Sequence, residues 1–314
     1  METKTAITAN EVICNTLQEI AQNNPQLLVL TSDSRGSASL TQFITRYPER
    51  SVELGIAEQN LVSVAAGLAR AGKRPFVFSP AAFLTMRSIE QVKVDVAYSN
   101  TNVKLIGISG GNSYSNLGSS HHSLQDLAIT TAIPNLEVYT PADRFETMAL
   151  FEYLATSSSP AYVRVGKRKL PDCYHEPWEN FQPGRAKVIR QGHDVCLISA
   201  GETLYSTIEA AKLLEDQGIS TCVVDLVSIK PLDTQLLHKL SEIFKRIVTI
   251  EEHSIIGGLG ARVATITAQH TGTCQRIFGF PDESAISGPQ AEVFDYYGLS
   301  STKIAQNVRS FLKD

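Results

Sequence analysis

The feature that most restricts the fold of this chain is a regular alternation of short apolar segments with longer amphipathic ones. Residues 27–31, 103–108 and 195–199 are almost wholly apolar and have the length of strands. Apolar strands that alternate with helical segments indicate mostly parallel sheets covered by helices on both faces. The chain is therefore predicted to be an α/β protein with two consecutive doubly wound domains whose sheets are mostly parallel.

The alternation is interrupted once, and the break divides the chain into two parts. Residues 166–185 are first basic, then rich in proline and aromatic residues, and show no period. Such a composition is typical of a linker between domains. We predict a first domain over residues 1–168, an ordered linker over 169–186 and a smaller second domain over 187–314. A chain of 314 residues is long enough for two domains of this size.

Composition narrows the class of protein. A hydrophobic content of 43% and a charged content of 19% are typical of a soluble globular protein. A net charge of −4 argues against a nucleic-acid partner or an anionic membrane surface. There is no apolar run of membrane-spanning length, and the first residues lack the pattern of a secretory signal. Five scattered cysteines without metal-site or redox spacing favour reduced thiols in a cytoplasmic protein.

The most informative motif is ELGIAEQN at residues 53–60, which leads into a segment of small and apolar residues. The pattern predicts a helix that is buried on most of its faces. An unpaired carboxylate at the entry of a buried helix costs on the order of several kcal/mol unless it has a partner or a function. Glu58 is therefore either an N-terminal acid stabilised by the helix dipole or a functional carboxylate.

A second motif, GSSHHSLQD at residues 118–126, follows a loop made mostly of glycine, serine and asparagine. The loop leaves the end of a predicted strand, where ligands bind in open α/β sheets. His121 and His122 could be metal ligands, but adjacent side chains point in different directions and no third ligand is evident. The alternative is that His121 only packs within a loop that caps a helix.

Two further candidate segments follow predicted strands. In residues 75–91, Phe83 could stack on a ring-shaped ligand or simply belong to the core. Residues 31–37 (TSDSRGS) contain Asp33, Arg35 and Ser37. This second segment is less informative, because turn-rich loops attract serine, aspartate and glycine without any functional reason.

Taken together, these motifs closely resemble those of the transketolases, enzymes that depend on thiamine diphosphate. The resemblance spans nearly the whole chain and includes residues 224–233 and 250–260 of the second domain. It implies a pyrimidine-binding domain followed by a transketolase C-terminal-like domain. The implied activity is the transfer of a two-carbon ketol unit from a ketose to an aldose.

The resemblance also implies roles for individual residues. Glu58 is expected to face N1′ of the cofactor's aminopyrimidine ring, and Phe83 is expected to stack on that ring. Asp33 and Ile56 are expected to bind the same part of the cofactor. His121 is expected to hydrogen-bond the reacting ketose, which makes Glu58 and His121 the predicted catalytic residues.

The sequence departs from the family at positions that bind the substrate. Where many transketolases place an arginine that clamps the sugar phosphate, this chain has Thr140, and an expected histidine and an expected acid are Ser109 and Leu117. Ser37 matches a serine near the substrate phosphate, and Arg35 is a candidate for the missing cation. These departures indicate an unusual sugar phosphate rather than the usual pentose phosphates.

Transketolases bind the cofactor's diphosphate and Mg²⁺ with a Gly-Asp-Gly segment and a downstream asparagine in a separate N-terminal domain. This sequence contains no Gly-Asp-Gly. The resemblance therefore implies a split enzyme in which an N-terminal transketolase subunit holds most of the diphosphate and Mg²⁺. A heterotetramer of two plus two chains is expected, with the active site between chains. The small-residue helix after Glu58 suits close packing at that interface.

Two alternatives remain. The chain could be the beta subunit of a 2-oxo-acid dehydrogenase, which shares the architecture, the double histidine and the cofactor but acts with a lipoyl partner. Residues 100–105 (NTNVKL) and 141–143 (PAD) resemble transketolase more closely. It could also be a non-catalytic subunit, because fold alone does not determine function. The joint presence of Glu58, Phe83 and His121 argues against that second alternative.

Overall fold

The computed structural model describes residues 7–176 and 178–313. Two sheets form its framework, one with seven strands and one with five. Among the described strands, the pairs are parallel except for one pair at the edge of each sheet. The prediction of two α/β domains with mostly parallel sheets is therefore confirmed.

The elements of the first domain follow the predicted alternation. Its strands are β1 (Leu27–Thr31), β2 (Ser51–Glu53), β3 (Arg74–Pro80), β4 (Lys104–Ile108), β5 (Glu137–Tyr139) and β6 (Ala161–Arg164). Its α-helices are α1 (Ala9–Asn23), α2 (Thr41–Arg46), α3 (Glu58–Arg70), α4 (Ala81–Met86), α5 (Ile89–Gln91), α6 (Asp126–Ala132) and α7 (Arg144–Thr156). A π-helix, Val92–Tyr98, continues directly from α5.

The second domain is built in the same way. Its strands are β7 (Lys187–Arg190), β8 (Val195–Ser199), β9 (Thr221–Asp225), β10 (Ser228–Lys230), β11 (Arg246–Ser254) and β12 (Cys274–Phe280). Its helices are α8 (Thr203–Glu215), α9 (Thr234–Ile243), α10 (Leu259–Thr267), α11 (Gln290–Tyr296) and α12 (Ser301–Phe311). No described helix is both long enough and apolar enough to cross a lipid bilayer.

Strand order joins the two halves of the chain. The first sheet runs β10-β5-β6-β4-β3-β1-β2, and the second runs β12-β11-β8-β9-β7. Strand β10 belongs to the second half of the sequence but pairs antiparallel with β5, where Ser228 lies opposite Tyr139. It therefore covers an edge of the first sheet that would otherwise expose unpaired backbone groups.

The hydrophobic core is also shared. Helices α1 and α7 pack together over one face of the first sheet, and α3 packs against the other face. On the α3 side, one buried cluster extends across both domains. It contains Leu136 and Val138 of the first domain and Ile229 and Leu259 of the second. Each fully buried aliphatic side chain contributes about 1.5–3 kcal/mol, so this shared core fixes one domain on the other.

Helix α3 differs from its prediction in how much of it is buried. Leu61, Val62 and Ala65 face the core, but Ser63 and Gly67 are exposed on the opposite side. The predicted burial on most faces is therefore wrong for this chain by itself. The mainly small residues of the open side leave room for another chain to approach closely.

The segment that follows β3 is helical but changes its geometry along its length. Helix α4 begins at Ala81, directly after Pro80 ends β3, and a turn at Arg87 and Ser88 separates it from α5, which passes into π geometry at Val92. After the π-helix, the Thr101 hydroxyl donates a hydrogen bond to the backbone carbonyl of Asp95 at 2.9 Å. π-helical turns are frequent at functional sites.

Residues of the predicted linker are ordered by hydrogen bonds to buried acids. The backbone N–H groups of Cys173 and Tyr174 donate to Asp143 Oδ2 at 2.9 and 2.8 Å. The Tyr174 hydroxyl donates to Asp225 Oδ2 at 2.6 Å, which joins the segment to the second domain. Burial raises the pKa of Asp225 to about 6. The linker boundaries at 169 and 186 stay a prediction.

Candidate active site

The four candidate motifs meet along the edge of the first sheet that is formed by the carboxyl ends of its parallel strands. Strands β4, β3, β1 and β2 are neighbours in that order, and their carboxyl ends lie on the same side because they are parallel. His121 follows β4, Phe83 follows β3, Asp33 follows β1 and Glu58 follows β2. This edge is where open α/β sheets bind ligands.

Glu58 is the first residue of α3, and only 2% of its surface is exposed. Its Oε2 accepts a hydrogen bond from Arg87 Nη1 at 2.6 Å. The carboxylate therefore has both the positive end of a helix dipole and a cationic partner, which together offset the cost of its burial. The Arg87 side chain is 43% exposed, so this ion pair lies where the protein interior meets solvent.

Arg87 also connects Glu58 to the other predicted residues. Its guanidinium lies 4.6 Å from the centre of the Phe83 ring, a cation–π contact between residues four apart in sequence. The Phe83 ring meets the His121 ring edge-on, with 5.2 Å between the ring centres. Glu58, Arg87, Phe83 and His121 therefore form a continuous chain of contacts. Sequence reasoning missed Arg87, although its spacing from Phe83 would have indicated the pair.

The two adjacent histidines have different environments. His121 is half-buried, with its Nδ1 at 3.0 Å from Ser120 Oγ and its ring beside Tyr114. His122 is buried, and its Nε2–H donates to the carbonyl of Ser115 at 3.2 Å. Burial lowers the pKa of His122, which favours the neutral ring. His122 thus holds the loop, while His121 faces Phe83.

A cleft of about 830 Å³ opens beside these residues. Phe83 and Arg87 line it from the first domain, together with Ser120. Asp282 and Glu283, in the loop after β12, line it from the second domain. Both domains therefore contribute to the cleft, which sequence analysis did not foresee.

The β1 loop is tied to the Glu58 motif by Glu53, another residue that the predictions omitted. Its carboxylate accepts hydrogen bonds from Asp33 N at 2.7 Å, from the Thr31 hydroxyl at 2.7 Å and from Gly55 N at 2.8 Å. Partial burial acts to raise the pKa of Glu53, but these hydrogen bonds outweigh it and hold the pKa below its usual value. Asp33, with φ of +53°, is exposed on this braced turn.

The remaining predicted residues lie on the same edge but are separate from the contact chain. Asp33 and Arg35 line a shallow groove with Glu53, and exposed Ser37 accepts a hydrogen bond from Asn10 Nδ2 at its carbonyl. Within the described residues, we find no contact from Arg35 or Ser37 to Phe83 or His121. Ile56 is 74% exposed just before Glu58.

Comparison with protein families matches both halves of the chain. The model for the transketolase pyrimidine binding domain matches residues 5–172, and the model for the transketolase C-terminal domain matches residues 184–304. Together they include every predicted site residue in the first half and the second sheet in the second half.

Individual relatives agree with the family models. The chain is 41% identical over 307 residues to a subunit of the apulose-4-phosphate transketolase of Phocaeicola vulgatus, covering 98% of each chain. It is 31% identical to the 6-deoxy-6-sulfo-D-fructose transketolase subunit SqwH of Clostridium sp., covering 92% of this chain and 90% of the relative. A solved structure described as "Split gene transketolase, inactive beta4 tetramer" superposes with a TM-score of 0.90 at 36% identity, over 98% of this chain and 99% of that one. The family that the motifs predicted is thus confirmed, and the chain belongs to the transketolases.

Proposed function

We propose that this chain is the subunit of a two-chain, thiamine-diphosphate-dependent transketolase that binds the pyrimidine end of the cofactor. The complex would transfer a two-carbon ketol unit from a ketose to an aldose. The observation that carries the proposal is the contact chain from buried Glu58 through Arg87 and Phe83 to His121, at the ligand-binding edge of the sheet. Relatives of similar length that are named transketolase subunits support it.

The residues at this edge suit an aminopyrimidine ring. Glu58 offers a buried carboxylate, Phe83 offers an aromatic face, and exposed Ile56 offers an apolar side chain next to Glu58. When bound, thiamine diphosphate supplies the electron sink that allows a carbon–carbon bond beside a carbonyl to break. Because Arg87 holds Glu58 Oε2, Oε1 is the oxygen that would hold and return a proton at N1′ of the ring.

His121 would orient the ketose. Its Nδ1 lies against Ser120 Oγ, so Nε2 is the nitrogen that would meet a substrate hydroxyl. An imidazole is suited to this role because it can donate or accept a proton near neutral pH. The edge-on contact with Phe83 limits the rotation of the ring.

The partner would bind the rest of the cofactor. A diphosphate needs a divalent cation and backbone N–H donors, and we propose that an N-terminal transketolase subunit supplies both, with Mg²⁺. We define the α3 surface as the exposed residues Asn60, Ser63 and Gly67 of α3 with Val94 and Tyr98 of the π-helix. This surface, beside Glu58, is the proposed contact with the partner. We propose a heterotetramer with two copies of each chain. A need for the second chain is supported by the relative that is itself named as one subunit of a transketolase, and by the split-gene structure, whose tetramer of beta chains alone is described as inactive.

The proposed substrate is a ketose that carries a phosphate or sulfonate group. The relatives are named for apulose 4-phosphate and 6-deoxy-6-sulfo-D-fructose, and both sugars are anionic. Thr140, at the position of the family's usual cation, is buried against Gly201 rather than in the cleft. Arg35 and Ser37 on the β1 loop are the proposed anion contacts.

The acceptor separates transketolase from the 2-oxo-acid dehydrogenase alternative. The complex, with thiamine diphosphate and Mg²⁺, would be assayed with a panel of phosphorylated and sulfonated ketoses. We expect the two-carbon unit to appear on an aldose phosphate, detected by mass spectrometry of the lengthened sugar. If a 2-oxo acid is consumed instead and the acyl group appears on a lipoyl domain, the proposed function is wrong.

Arg87 offers a test of the site that does not rely on Glu58 itself. Arg87→Met would leave Glu58 without its cationic partner, and we expect kcat of the complex to fall about tenfold because the carboxylate loses its fixed orientation. Arg87→Lys keeps the charge and should retain more activity. Steady-state ketol transfer measures both.

The matched control for Arg87 is Lys239→Met, which removes a cation from an exposed position on α9 in the second domain. It should leave kcat unchanged. If Arg87→Met turns over as fast as the control, Arg87 has no role in the active site.

A further inference from the structure

The loop that carries His121 is held by the second domain at Glu252. This residue lies on β11 and is 6% exposed. Its Oε1 accepts hydrogen bonds from the backbone N–H of Asn112 at 2.8 Å and from Gln290 Nε2 at 2.9 Å. Its Oε2 lies 3.6 Å from Nη2 of Arg164, a buried cation at the end of β6. Since Asn112 belongs to the segment from β4 to His121, one carboxylate connects this segment to both domains.

The neighbours of Glu252 on β11 hold the far end of the same loop. Ser254 N donates to the carbonyl of Leu124 at 2.9 Å. Fully buried His253 accepts a hydrogen bond at Nε2 from Ala128 N at 3.3 Å, while its Nδ1–H donates to the Ser254 carbonyl at 2.7 Å. We call Glu252, His253 and Ser254 the β11 clamp. It contacts the chain on both sides of His121.

The backbone of the His121 loop packs directly against the side chains of Glu252 and Arg164. Gly111 has φ of +61°, and a Cβ added there would collide with Arg164 Nη2 and with Cδ of Glu252. A side chain at this position would have to push the loop away from the clamp. The position of the loop is therefore set by a close contact that can be disturbed from either domain.

Catalytic groups need positioning to within a fraction of an ångström, and loops reach that precision only when other elements brace them. We infer that Glu252 is a positioning residue that fixes the His121 loop for binding of the ketose. This would give the second domain a part in substrate binding, although its clamp residues lie outside the contact chain from Glu58 to His121. The inference rests on the proposed function of His121.

Two substitutions disturb the contact from opposite sides, in the complete complex. Glu252→Gln keeps the size of the side chain but replaces the carboxyl group beside Arg164 by an amide, and Gly111→Ala adds a side chain on the loop. We expect each to raise KM for the ketose about tenfold, with the Kd of thiamine diphosphate unchanged because neither substitution touches Glu58 at the start of α3. Glu242→Ala, at an exposed position on α9, is the control and should change neither value.

Hydrogen exchange provides a readout that a role in general stability would not reproduce. Amides of residues 109–125 should exchange faster in Glu252→Gln, whereas amides of α3 should keep the wild-type rate. Equal exchange of the loop in variant and wild type would overturn the inference. So would a loss of protection spread over the whole chain.

Combination with His121→Ala separates this inference from the proposed function. If Glu252 acts through His121, Glu252→Gln should add no further rise in KM to the His121→Ala variant. Additive rises would overturn the positioning role. If His121→Ala itself leaves KM unchanged, the proposed role of His121 has failed, and with it the inferred role of Glu252, whatever the exchange rates are.

Discussion

Replacement of Glu58 by glutamine is expected to lower kcat of the complex about 10²- to 10⁴-fold, the range typical of losing a positioned acid–base group. Glutamine has the same shape, and its amide oxygen can still accept the hydrogen bond from Arg87. It cannot, however, hold and return a proton at N1′. The expected result is therefore a fold that is retained and a turnover that is lost. Steady-state ketol transfer and thermal unfolding of the complex measure the two quantities.

The control for this substitution is Glu90→Gln, an exposed carboxylate on α5, three residues beyond Arg87. It should leave turnover and stability unchanged, because exposed side chains without strong partners contribute little. Full turnover by Glu58→Gln would show that the catalytic role proposed for Glu58 is wrong. Loss of turnover with an equal loss of folded complex would assign Glu58 a structural role instead.

The strands that could be predicted from the sequence are those that burial alone specifies. Strands β1 and β8 were predicted with the bounds that the structure has, because each is buried at every position and reads as a continuous apolar run. Strands β2, β7 and β10 were missed, because each is short and contains charged residues and so does not form a continuous apolar run. The pairing of β10 with β5 depends on contacts far apart in sequence, which no local pattern contains.

In the candidate site, too, features set by the local sequence could be predicted, whereas contacts between residues far apart in sequence could not. The side chains that end each strand could be found, because parallel strands bring their carboxyl ends to one edge. Their partners could not. The hydrogen bond from Asn112 to Glu252 joins residues 140 positions apart, and the ion pair of Glu58 with Arg87 links the start of α3 to the turn after α4. Charge pairing of this kind appears only when the tertiary structure is known.

Activity is expected only when the chain is assembled with its partner. The isolated chain should show no measurable binding of thiamine diphosphate with Mg²⁺ by calorimetry, and no ketol transfer. Glu58 and Phe83 offer contacts to the pyrimidine ring alone, whereas most of the affinity for a diphosphate comes from a metal ion and backbone donors. Addition of the N-terminal subunit should produce both binding and turnover.

A surface substitution connects this requirement to the proposed interface. Tyr98 is 86% exposed on the α3 surface, and a charge placed there would be buried on assembly at a cost of about 2–5 kcal/mol. Tyr98→Asp should therefore prevent complex formation in size-exclusion chromatography and abolish turnover together. Ile243→Asp, at a position 58% exposed on α9 of the second domain, is the control and should assemble normally. Tight cofactor binding by the isolated chain would contradict the two-chain site, because the diphosphate contacts would then have to lie within this chain.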